Sequence, residues 1–324
     1  MIPALTSSKE EREQVAVIPR IFASTAWLIM GTFGLSIVKK LGNGNVVKGY
    51  SSFAVVIAVT FIISAIITCL NVKERVETPK NAEKVSFKQT LNIIRKNDQL
   101  LVFIGIVLGM NLIMQISGSM AIYYFTYVVG KESLFSVYQA FAGIAEISGL
   151  VLLPILTKKI GREDVFKFGS ILPIAGFLLL FVAGIVAPQN ALFIGMAGAI
   201  LKLGSGFLLG STTIMLADVV DYGEFKLGTR NESIVFSVQT LLVKGASAVA
   251  GWLVGVGLSL VGYVAGEVQS ATTILGMRVI MIWIPIVCAI VMYTIYKSKY
   301  KINGKFHDDM LVELEKRKKA NDAI

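Results

Sequence analysis

The chain has 324 residues, 55% hydrophobic and 16% charged, with a mean hydropathy of +0.71 and a net charge of +10. A soluble globule of this length does not carry so much apolar surface, so the composition points to a polytopic membrane protein. One histidine, His307, two distant cysteines, Cys69 and Cys288, and no GxxxxGK[ST] run exclude triad, zinc, disulfide and nucleotide-motor chemistry.

The basic excess lies in short links between apolar runs and in the tail, the positive-inside pattern rather than a nucleic-acid-binding face. Residues 1–14 are polar and lack the regions of a secretory signal, and Ser7 with Glu10 reads as a capping box that starts a helix. A first span covers Val15 to Val38, with Pro19 and Arg20 near its start. Arg20, Ser24, Trp27 and Gly31 share one helical face. Arg20 either marks the headgroup boundary or presents a donor fork to a polar solute.

A Gly, Asn and Lys turn from Lys39 to Gly49 leads to a second span, Tyr50 to Leu70. The link Asn71 to Gln99 carries seven Lys or Arg against four acids and is expected in the cytoplasm. Phe87, Leu91 and Ile94 within it predict a short amphipathic helix on the membrane surface. Six more spans follow: Leu100 to Val128, Ser133 to Leu156, Val165 to Val186, Ala191 to Leu216, Ser233 to Gly262 and Leu275 to Tyr296. Each is long enough for a hydrocarbon core of about 30 Å. Alternation puts the links 157–164 and 218–232 and the C-terminus inside, and the turns at Pro188 to Asn190 and Gly262 to Thr273 outside. Lys39, Lys40 and Lys48, in an outside turn, break the charge rule.

The most informative stretch runs from Asp218 to Ser247. Asp218, Asp221, Tyr222, Glu224 and Arg230 read as a charged hairpin between two apolar spans. Beyond it Ser237, Thr240, Lys244 and Ser247 fall on one helical face, a polar stripe inside a membrane-grade helix. A lysine in mid-bilayer costs roughly 2.5 to 3.5 kcal/mol, so Lys244 is expected to face a partner or a wet cavity. Asn111, Gln115 and Ser119 follow four-residue steps up to the pair Tyr123 and Tyr124, and either glue helices together or line a solute path. Glu146 and Lys202, lone opposite charges on separate spans, are expected to pair. Gly206 with Gly210, and Gly251 with Gly255, read as close-packing faces.

The runs PALTSSKEEREQ, IPRIFAS, IIRKNDQL and AIYYFTYVVG, and above all ADVVDYGEFKLGTRNESIVFSVQTLLVKG, resemble the glycoside-pentoside-hexuronide cation symporters of the major facilitator superfamily, most closely their sodium-coupled melibiose permeases. The resemblance implies an all-α membrane bundle that corresponds to helices five to twelve of the family. Residues 1–70 would be a two-helix remnant of the first half, 71–99 the central loop, 100–299 the six-helix second half and 300–324 a cytoplasmic tail. The first four helices, which carry the family's cation-ligating acids and sugar-binding aspartates, would be missing, and Met1 aligns just after them.

The same resemblance implies Arg20 and Thr240 as sugar hydrogen-bonders and Lys244 beside the sugar and cation sites. Trp27, Gln115 and Tyr124 are further candidates for the substrate. Asp218, Asp221, Tyr222, Glu224 and Arg230 would latch the cytoplasmic side, with Glu146 and Lys202 in coupling. Two departures stand out: Leu209 replaces a cavity tryptophan, and Glu146 and Lys202 stand where the family tends to have neutral amides. The expected partners are a small sugar or glycoside, a coupling cation (Na+ or H+) and the lipid bilayer, with no other cofactor, no metal held by these residues and no nucleic acid. The alternatives are an inactive gene fragment and a lipid transporter or sensor of the same fold.

Overall fold

A computed structural model describes the backbone of residues 9–71, 87–229 and 231–322, and the side chains of 22–23, 25–71, 90–229 and 231–317. The chain divides into two compact units, Met1–Lys84 and Val85–Ile324. The division falls inside the link expected at 71–99. Every regular element among the described residues is helical.

The first unit is a helical hairpin, α1 (Lys9–Gly42) and α2 (Val46–Asn71). At 34 residues α1 is about 50 Å long, and it contains the expected first span. The turn falls within the Gly, Asn and Lys stretch. Asn43 and Gly44 take positive φ, and the Asn45 Oδ1 accepts from the Lys48 amide at 3.0 Å. Gly42 lies against Gly49, so the two helices meet backbone to backbone just beside the turn.

The second unit starts with α3 (Phe87–Lys96), the expected amphipathic helix, whose Ile93 and Ile94 pack on the core. The Asn97 side chain caps α4 (Asp98–Tyr123) by accepting from the Leu100 amide at 2.9 Å. A π-helical turn, Tyr124–Val128, extends α4. Phe103, Ile106, Ile116 and Met120 bury α4 in the centre of the unit, where it packs on the later helices.

The next element, α5 (Ser133–Val186), reverses at Gly161, whose φ of 86° and ψ of 162° suit only glycine. Its arms, 133–160 and 162–186, both flank α6 (Ala191–Leu227). Gly149 faces Gly206 and Leu153 faces Gly210, so the first arm runs parallel to α6. Pro173 faces Gly204 and Gly176 faces Leu201, so the second arm runs antiparallel. Then follow α7 (Glu232–Leu260), α8 (Ala271–Arg278), a π-helical turn at Val279–Trp283, α9 (Ile284–Lys299) and α10 (Gly304–Asp322).

Among the described residues six helices are long and apolar enough to cross a membrane, and one of them is the two-armed α5. Three boundaries differ from expectation. The charged stretch expected as a loop at 218–232 is helical in its first part: α6 continues to Leu227 and stops where Gly228 takes φ 72°. The link 157–164 is helical apart from the reversal at Gly161. The tail is also a helix, α10, because Met310 and Leu314 bury against the core.

Candidate functional site

Helix α7 buries Ile234, Val235, Val238 and Ala246, and leaves Ser237, Thr240, Lys244 and Ser247 all exposed. The polar stripe is therefore not spent on packing. The Thr240 hydroxyl donates to the Phe236 carbonyl at 3.0 Å, which leaves its oxygen lone pairs facing outward. No described residue pairs with Lys244. Gly251 and Gly255 continue the same stripe, exposed and with nothing within 4 Å of a built Cβ. That corrects their expected role: within the described molecule they close no helix contact, whereas Gly206 and Gly210 do.

On α4, which packs on α7, the polar steps divide. Asn111 is buried and donates to its own helix at Val107, Gln115 is half-buried and Ser119 is exposed. Tyr124, expected at the substrate, is fully buried, and its hydroxyl donates to the Leu180 carbonyl at 3.3 Å. The hydroxyl also lies against Gly184, where a Cβ would collide with it, so in this structure the Tyr124 side chain is spent on packing within the unit. In the first unit Trp27 is 64% exposed on α1. The Arg20 side chain and Arg230 lie outside the described residues.

The opposite charges on α5 and α6 meet: Lys202 Nζ donates to Glu146 Oε2 at 2.8 Å, with both side chains about one-seventh exposed. Ser205 and Thr212, on the same side of α6 as Lys202, are buried and bond to carbonyls of their own helix.

At the end of the unit where α4 begins, two carboxylates each gather donors. Asp218 is buried and takes Arg162 Nη1 at 3.4 Å, His307 Nε2 at 3.3 Å and the Tyr300 hydroxyl at 3.5 Å. Burial and the adjacent Asp218 carboxylate push the Tyr300 phenol well above its usual range. Asp98 accepts from the Tyr222 hydroxyl at 2.8 Å and from Lys226, with Lys301 at 3.7 Å. Asp221 and Glu224 are half-buried on the same last turns of α6.

Of the expected latch, then, Asp218 and Tyr222 sit at two hubs whose other members the motif reading missed. Arg162 comes from the α5 reversal, and Tyr300 and His307 come from the segment into α10. The spacing of Phe306, Met310 and Leu314, four residues apart, was the available signal for that last helix. Arg317 completes the attachment by donating to the Phe225 carbonyl at 3.0 Å. Between the α5 reversal and α10 lies an open cleft of about 430 Å³, lined by Arg162, Asn303 and His307 among others.

Residues 1–304 match the family described as MFS/sugar transport protein. The isoprimeverose transporter of Lactiplantibacillus pentosus is 30% identical over all of this chain and 67% of its own length. A putative sulfoquinovose importer of Salmonella typhimurium is 30% identical over all of this chain and 68% of its own. The raffinose carrier protein of Pediococcus pentosaceus is 27% identical over 98% of this chain and 50% of its own. The chain thus spans between half and about two thirds of the length of these relatives.

Proposed function

Because the chain belongs to the MFS/sugar transport protein family, we propose that it moves a glycoside or oligosaccharide across the cell membrane together with a monovalent cation, Na+ before H+, by alternating access. It is a multi-pass membrane protein, and the similar proteins with stated roles are carriers rather than enzymes. The observation that carries the reading is the open polar face of α7. Four polar side chains, including a lysine that no described residue pairs with, are exposed on a helix apolar enough to span a bilayer. Such a face is unfavourable against lipid and suits a water-filled path.

On this reading Thr240 hydrogen-bonds the sugar hydroxyls, Gln115 adds a contact and Lys244 sets the local charge; Arg20 keeps the sugar-binding role that the resemblance implies for it, and Trp27 remains a candidate for the substrate. The segments 71–99, 157–164 and 218–232 and the C-terminus face the cytoplasm. The Asp218 and Asp98 hubs latch that side and loosen as the path opens inward. A monovalent cation that enters down a potential supplies roughly 2.3 kcal/mol per 100 mV.

The test is uptake by the purified chain in proteoliposomes, with a panel of isoprimeverose, raffinose, melibiose and glucuronides under imposed sodium or proton gradients. At least one sugar should accumulate above its outside concentration only when a gradient is present. Uptake no greater than in protein-free vesicles for every sugar and either gradient overturns the proposal.

A further inference from the structure

The ion pair between Glu146 and Lys202 is not explained by packing. The seam it sits on is already closed by glycine: a Cβ on Gly206 would run into the Glu146 carbonyl, and one on Gly149 would lie 2.6 Å from the Leu203 carbonyl. Two charges in an apolar seam stabilise it no better than well-packed hydrophobic residues of similar size. Their position on α5 is also selective. Ser136, Gln139, Gly143 and Glu146 share a half-buried face of the first arm, while Phe141, Ile144, Val151 and Ile155 form its exposed, large apolar face on the other side. The pair therefore lies on the small, polar side of the arm, away from the side suited to lipid.

The pair has hydrogen-bonding capacity to spare. The single bond joins Nζ to Oε2, so Oε1 and two ammonium protons have no described partner. One free acceptor beside free donors matches two neighbouring hydroxyls of a sugar, one donating to the carboxylate and the other accepting from the ammonium. The glycine seam fixes both side chains on backbones that cannot draw apart without breaking close contacts, so the site is preorganised.

We infer that Glu146 and Lys202 together form a sugar-reading subsite that binds a pair of adjacent hydroxyls on a neutral glycosyl unit. The inference rests on the transport reading above and adds a specificity determinant to it.

The test is calorimetric titration of the detergent-purified chain with melibiose, raffinose and isoprimeverose, and with monodeoxy analogues of whichever binds. The double variant Glu146→Leu/Lys202→Met removes both charges and leaves none unpaired. Its unfolding midpoint should stay near that of the native chain, while sugar affinity falls about tenfold or more, the size of a lost charge-assisted hydrogen bond. One or two monodeoxy sugars should lose a similar factor on the native chain and little further on the double variant. If the native and double-variant chains bind every sugar alike, or if deoxygenation weakens both equally, the pair is a structural staple and the inference is wrong. If the native chain binds no sugar in the panel, the transport reading fails and this assignment fails with it.

Discussion

Gly149 and Gly206 face each other across α5 and α6 so closely that a Cβ on Gly149 would stand 3.2 Å from the Gly206 Cα. Close backbone approach of this kind is how helices associate where no hydrophobic force separates lipid from protein. Gly206→Ala should therefore destabilise the chain by about 1 to 3 kcal/mol through overpacking. Gly251→Ala, which meets nothing within 4 Å, should leave stability unchanged. Thermal unfolding of the two variants in one detergent separates them, and equal midpoints would contradict this packing.

Asp218 is the buried junction of α6, the α5 reversal and α10. Asp218→Asn keeps the shape and removes the charge that draws Arg162 and His307 together. The expected loss is about 1 to 2 kcal/mol, because Arg162 is half-exposed and relaxes into solvent. The loss should be local: hydrogen exchange in α10 should rise while exchange in the centre of α4 stays slow. Unchanged protection of α10 would show that Asp218 does not hold it.

The periodicity of apolar runs was enough to place the helices, because a bilayer demands long apolar segments and the charges that interrupt them mark the ends. It misjudged Asp218 to Leu227 because charge there was equated with loop. In the fold those charges pair with residues from three other segments, so the helix continues through them. The charges of Glu146 and Lys202 told more than the stripes did, since two lone opposite charges have few ways to be satisfied. The burial of Tyr124 could not be read locally, because it depends on Gly184, sixty residues further along the chain.

Tyr124→Phe deletes one hydroxyl and its bond to the Leu180 carbonyl. A loss of about 1 kcal/mol in stability is expected, with sugar affinity unchanged. A clear fall in affinity with no change in stability would return Tyr124 to the substrate.

Lys244→Leu sets insertion against function. Removal of a charge from a membrane helix should hold or raise the unfolding midpoint, and gradient-driven sugar uptake should fall at least tenfold. A variant that transports normally would show that Lys244 only reaches toward the membrane surface.

The most direct test of the open face of α7 as the sugar path is reactivity at position 240. With Cys69 and Cys288 replaced by serine, Thr240→Cys should react with a water-soluble, membrane-impermeant maleimide once both membrane faces are accessible. A transported sugar from the proteoliposome panel should slow the reaction in proportion to its occupancy, and a non-transported sugar should not. A cysteine at 240 that does not react, or that reacts at the same rate with and without transported sugar, would contradict the placement of the path along α7.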